Sequence, residues 1–298
     1  MFPIHFTSQA VNKSYLSHLT NPDSPDVFGL IAKYWWTEFV DQYTKDPIAC
    51  IDQLDCAMAS ARLDFNESAE KYATDLGYEV GTREHYVRVS QALKSRTGKM
   101  FERFIGLAIA HILLEKGSRF AVAGFGSQSA AWAPHAAPSA YEISTGIGAV
   151  GYKTAVDADL IIFNPMDEDD DTFLVSIKSS LKDRFHNVAF WNVARLAALS
   201  NDTSWGRLGC SNPDALRKAK YVAICSDLSD EQPDFANPKG PRNLLCFDAA
   251  LLDGAYVTSS KARGLVKSTN HLGQGRDFPF SPLSDLMTHL TSPDSRFA

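Results

Sequence analysis

The chain has 298 residues, 45% hydrophobic and 21% charged, enough for one large or two moderate domains with a buried core. Its net charge of -6 is not the basic balance typical of a nucleic-acid-binding domain, so such a partner would have to be met by a local surface. Five cysteines, Cys50, Cys56, Cys210, Cys225 and Cys246, are odd in number and lack CxxC spacing, which argues against a disulfide framework and a zinc site; Cys225 and Cys246 sit in apolar runs and read as core thiols.

No apolar run reaches the roughly 20 residues that a membrane span needs, and residues 1–5 show neither a basic nor an apolar leader region. The expected location is the cytoplasm, with no membrane partner. Residues 1–90 are expected to form a helical N-terminal subdomain, serving as scaffold, in dimerisation or in DNA contacts, and residues 91–298 the main domain. Within the first part, 27–43 carries Phe28, Ile31, Tyr34, Trp35 and Phe39 at helical spacing, and 47–63 and 68–76 continue the pattern. Tyr34, Trp35 and Trp36 could stack bases, but aromatics at this spacing are more often core or subunit interface.

Between Arg83 and Arg103 six cations face two acids, a net +4 in an acidic chain. Both a solvated helix face and a phosphate-contacting surface fit that window. A helix is expected from Thr97, apolar nearly all round over 101–114, as a helix buried against a sheet would be. Glu102 is its exception. Ile105, Ile109 and Ile112 lie three, seven and ten residues beyond it, so its carboxylate either complements a helix N-terminus or stands at the rim of a cleft.

Residues 117–151 are rich in Gly, Ala and Ser, and read as a strand over 119–123 followed by a long mobile or DNA-facing loop. Gly124-Phe125-Gly126 lacks the third glycine and the helix that a phosphate loop requires. A strand is then expected over 156–163, opened by Asp157 and Asp159, followed by a polar turn through Asn164-Pro165 and the acids of 167–171, and a second strand over 172–177. Side chains alternate along strands, so Ser176 and Lys178 share a face, as do Asp157 and Asp159; neighbouring strands thereby set a carboxylate beside an ammonium. A helix over 185–199 follows, with Val188, Trp191, Ala194 or Arg195, and Ala198 on one side. Short buried strands over 221–225 and 244–247 and a final helix over 283–290 complete the order helix, strand, strand, strand, helix, strand.

Hydrolysis of a phosphodiester needs a hard divalent cation, which takes carboxylate oxygens, and a nearby lysine that orients water or offsets developing charge. Asp159, Lys178 and Glu102 supply that set. On these residues the chain resembles the PD-(D/E)xK nucleases. Lys178-Ser179-Ser180-Leu181-Lys182-Asp183-Arg184 further resembles the signature of type II restriction endonucleases that recognise CCGG or CCNGG. The resemblance spans roughly residues 95–250 and implies an α/β fold with a PD-(D/E)xK core, a mixed central sheet flanked by helices, in a catalytic domain over 91–298.

It also implies a Mg²⁺-dependent type II endonuclease acting on double-stranded DNA as a homodimer or tetramer. Asp159, Lys178, Glu102 and Ser176 would be catalytic, and Asp159 and Glu102, with Asp157 as the alternative to Asp159, would hold the metal. Lys182, Asp183 and Arg184 would enter the major groove, where cations suit guanine O6 and N7 and a carboxylate suits the cytosine amino group. Asn187 would add a backbone or base contact. Ser176 stands where the common motif has Asp or Glu, and 185–199 has no acid to compensate. That departure motivates a second expectation, a nuclease-fold DNA-binding or repair-associated protein with a decayed or non-specific site. A small-molecule enzyme is disfavoured, since neither a nucleophile with its base nor a cofactor loop is visible.

Overall fold

A computed structural model describes residues 7–19, 46–145, 151–178, 185–200, 208–225, 241–258 and 280–292. The elements, in chain order, are α1 (Ser8–Leu19), α2 (Pro47–Cys50), α3 (Leu54–Asp75), α4 (Arg83–Glu115), β1 (Ala121–Gly124), α5 (Ser127–Trp132), β2 (Glu142–Thr145), β3 (Tyr152–Ala155), β4 (Leu160–Phe163), β5 (Thr172–Lys178), α6 (Phe185–Leu199), β6 (Leu208–Cys210), α7 (Pro213–Lys218), β7 (Ala219–Cys225), α8 (Pro241–Ala250), β8 (Gly254–Val257), β9 (Ser281–Pro282) and α9 (Leu283–Thr291). The fold is α/β, with a mixed central sheet flanked by helices. Its strands run in the order β1-β4-β5-β7-β8-β9, and β3-β2-β6 form a smaller second sheet. β1 pairs antiparallel with β4 and β4 with β5, whereas β5, β7, β8 and β9 are parallel to their neighbours.

The alternation along β5 decides which layer packs where. Phe173, Val175 and Ile177 join Val222 and Ile224 in a core closed by α4 and α9, while Leu174 joins Ile161, Tyr221 and Ala223 in a core closed by Val188 and Ala194 of α6 and Ala249 of α8. Strands buried on both faces read as continuous apolar runs, which is why β4 is Leu160-Ile161-Ile162-Phe163 with all four residues buried.

α4 is the longest of the described helices. It does not start at Thr97 but at Arg83, where the Thr82 hydroxyl caps it by accepting from the His85 N–H at 3.2 Å. It ends in a Schellman turn, with Gly117 at φ +62° and the Ser118 N–H donating back to the Leu113 carbonyl at 2.9 Å. From Phe101 to Leu113 the helix is buried nearly all round, because α1 covers what the sheet does not. Gly106 makes that contact: a Cβ there would lie 2.4 Å from the Tyr15 hydroxyl. α1 also blunts the sheet edge, since Asn12 donates to the Phe120 carbonyl at 3.1 Å and accepts from the Val122 N–H at 2.9 Å, as a neighbouring strand would.

Several expected elements differ. One helix, α3, replaces the two expected over 47–63 and 68–76, preceded by the short α2. The expected loop over 117–151 holds α5, two 3₁₀ turns and β2, which pairs antiparallel with β3 just beyond it. β4 begins at Leu160, so Asp157 and Asp159 lie in the segment before the strand instead of within it. Residues 244–247, read as a strand, are helical within α8, and the strand of that region is β8; four apolar residues cannot distinguish the two by periodicity. Cys225 is a core thiol as expected, but Cys246 is only half-buried. The expected helix over 27–43, with Tyr34, Trp35 and Trp36, lies outside the described residues. Among the described residues no helix is long and apolar enough to cross a membrane.

Candidate active site

The β4–β5 pairing ends at Leu160 opposite Val175, and Asp159 continues it with side-chain chemistry. Its N–H donates to the Val175 carbonyl at 2.9 Å and its own carbonyl accepts from the Phe125 N–H at 3.1 Å, so its backbone is held by the strands on either side. One carboxylate oxygen, Oδ2, then accepts from the Ile177 N–H at 2.6 Å and from the Lys178 Nζ at 3.1 Å. Asp159 and Lys178 are thus an ion pair at the end of two adjacent strands, with side chains 21% and 17% exposed. At that depth the pair is neither a solvated surface bridge nor a sealed one, and solvent or a ligand can reach it.

Glu102 comes from α4, the helix packed on the Val175 and Ile177 face of the sheet. It lies nineteen residues into that helix, so it complements no helix N-terminus, an effect confined to the first turn. Its side chain makes no hydrogen bond or ion pair among the described residues. Burial foremost, then the Asp159 charge, hold its carboxyl above the ordinary value, against the opposing pull of Lys178, Arg103 and Lys99. A half-buried carboxylate without a partner, beside a second carboxylate, is a place where added positive charge is stabilising.

Asp157 is exposed, and the Tyr221 hydroxyl donates to its carbonyl. Burial, then the Asp157 and Asp159 carboxylates, push the Tyr221 phenol up. Ser176 is 1% exposed, and its Oγ has no hydrogen-bond partner among the described residues, so the residue at the motif's second acidic position bonds neither Asp159 nor Lys178 through its hydroxyl. Asn187 is exposed in the first turn of α6 and makes no hydrogen bond or ion pair among the described residues. Lys182, Asp183 and Arg184 lie outside the described residues. The helix that follows them is pinned by His186, whose Nδ1 meets the Asp248 carboxylate at 3.1 Å.

The structure therefore couples Asp159, Lys178 and Glu102, and Asp157 acts with Asp159 on the Tyr221 phenol. Among the described residues no group of three or more His, Cys, Asp and Glu side chains could hold a metal ion. Mg²⁺ does not require such a group, since it keeps several waters and takes one or two carboxylates with substrate phosphates. Asp159, whose Oδ1 is not engaged by the contacts to Oδ2, and the unpaired Glu102 fit that donor set. Lys99, Arg103 and Tyr221 were not legible as parts of this site. The i−3 spacing of Lys99 before Glu102 on the expected helix carried a signal for the first; nothing local marks Tyr221. No protein-family model matches this chain, and no curated protein matches it.

Proposed function

We propose that the chain is a Mg²⁺-dependent nuclease of the PD-(D/E)xK type that hydrolyses phosphodiester bonds of double-stranded DNA, as a type II restriction endonuclease at a short CCGG-type palindrome. One observation carries this reading: the Asp159–Lys178 pair stands at the end of adjacent antiparallel strands, with Glu102 electrostatically coupled to both. The core supports it. Leaving aside α5, β2, β3, β6 and α7, the chain runs α4, β1, β4, β5, α6, β7, with two antiparallel pairings followed by a parallel one.

Asp159 and Glu102 would hold the cation, which when bound polarises a phosphoryl oxygen and makes water a better nucleophile at neutral pH. Asp159 does not move to do this, because backbone bonds on both sides and the Ile177 N–H fix its carboxylate. Lys178 keeps its ammonium within reach of both Asp159 and the reacting phosphate, where it orients the attacking water and offsets charge that develops on the phosphoryl oxygens. Lys182, Asp183 and Arg184, six residues or fewer beyond Lys178, would read G/C pairs in the major groove. A palindromic site is matched by a two-fold assembly, a homodimer or a tetramer built from dimers.

Ser176 favours a second reading, a nuclease-fold DNA-binding or repair-associated protein with a decayed or non-specific site, because the acid usual at that position is absent. Incubation of pure protein with plasmid DNA and Mg²⁺ separates the two. Discrete fragments whose sequenced ends share one G/C palindrome support the restriction enzyme. Smearing indicates a non-specific nuclease, and intact plasmid with retained binding indicates the decayed site.

A further inference from the structure

The N-terminal half of α4 carries cations of which only Lys99 acts on the candidate active site. Arg119, Lys178, Arg195, Arg217 and Lys218 each meet an aspartate. By contrast, none of Arg83, Arg88, Lys94 and Lys99 makes an ion pair among the described residues, and Arg83, Lys94 and Lys99 are exposed. Their spacing is regular. Arg83 and Lys94 are eleven residues apart, as are Arg88 and Lys99, and eleven residues are close to three helical turns, so each pair lies in one row along the helix. The two rows are about 140° apart around the axis. Between them runs a strip through Val87, Gln91 and Gly98 that ends at Glu102.

At its far end the strip opens into a depression of 340 Å³ lined by Tyr78, Arg83, Glu84, Val87, Arg88 and Gln91. Both cationic rows thus flank one hollow, where the Arg88 guanidinium lies 6.0 Å from the Tyr78 ring centre and Val87 is 49% exposed. At its near end the same surface joins the site: Lys99 and Arg103 both act on the Glu102 carboxyl. From Arg83 to Lys99 the helix rises about 24 Å, the length of about seven base pairs of duplex.

Resting on the nuclease reading above, we propose that this half of α4 is the surface that seats the sugar–phosphate backbone of duplex DNA against the candidate active site, with Arg83, Arg88, Lys94 and Lys99 as its phosphate contacts. An unpaired cationic ridge on a chain of net charge -6 selects a polyanion by charge, and its continuity with Glu102 selects the polyanion that is cut there. Because phosphate contacts carry no sequence information, the ridge sets affinity and register while base reading lies elsewhere.

The test is the salt dependence of binding to a labelled duplex of about 30 base pairs containing CCGG, with Mg²⁺ omitted so that no cutting occurs. Each phosphate contact contributes about 0.9 to the slope of log affinity against log salt. The exposed pair Lys94→Gln/Lys99→Gln should lower the slope by about 1.8, and the quadruple variant with Arg83→Gln and Arg88→Gln by about 3.6, equally on a scrambled duplex. An unchanged slope in both variants, with the parent binding DNA, overturns the proposal and leaves the nuclease reading intact. Binding by the parent with the expected loss of slope, but no cleavage once Mg²⁺ is added, supports the surface and overturns the nuclease reading. A parent that does not bind the duplex overturns both.

Discussion

At Asp159 a single carboxylate oxygen accepts from the Ile177 N–H and from Lys178, while Glu102, on which the Asp159 charge acts, makes no hydrogen bond or ion pair among the described residues. That asymmetry has a consequence for stability. Burial first, and the Asp159 charge second, raise the Glu102 carboxyl in the folded state, so folding favours its protonated form. The stability this contributes is present below the ordinary carboxylate value and lost as pH rises through the raised one. Glu102→Gln should therefore melt higher than the parent at neutral pH without divalent cation, converge with it near pH 4, and cleave poorly; equal melting temperatures at both pH values would show that the carboxylate is not strained. Ser176 makes a second case. Its buried Oγ lacks a partner among the described residues, so Ser176→Ala should stabilise by about 1 kcal/mol in urea titrations, and a loss of stability would mean that the hydroxyl is bonded.

At the scale of elements, α6 is docked by Arg195, which is 3% exposed and reaches Asn192, the Leu216 and Ala219 carbonyls and, at 2.8 Å, Asp253. Arg195→Leu would leave those carbonyls and Asp253, which also accepts from the Tyr221 N–H, without their cation. It should cost about 3 kcal/mol in urea denaturation, whereas a cost below about 1 kcal/mol would make the network incidental. Gly106→Ala drives a methyl into the Tyr15 hydroxyl, and should cost about 1 to 3 kcal/mol by separating α1 from α4. These elements also show what was legible in the sequence. α6 was, because its apolar residues keep one helical face over fifteen residues, and β5 was, because a short apolar run bounded by turn residues suits a buried strand. α4 was misplaced by fourteen residues because Thr97-Gly98 resembles a break, and packing against α1 and α3 overrides that local preference. The paired strands β2 and β3 were missed since four-residue strands in and beside a Gly- and Ala-rich stretch carry almost no periodicity.

For the whole molecule, the mixed sheet places the end of β5 between two helical layers, so that residues 76 positions apart, Glu102 and Lys178, act on one another. The sequence could nominate both through a motif resemblance but could not show that they are coupled; that follows from the packing of α4 on the face of the sheet that carries Val175 and Ile177. Whether the Asp159–Lys178 pair cuts DNA is measured by cleavage of plasmid DNA in Mg²⁺ by the parent and by Asp159→Ala, with duplex binding followed in parallel. Discrete fragments are expected from the parent, and from the variant no cleavage with specific binding largely kept. Cleavage by Asp159→Ala at more than a few per cent of the parent rate, or a parent that binds and never cuts, would contradict the proposed role of the pair.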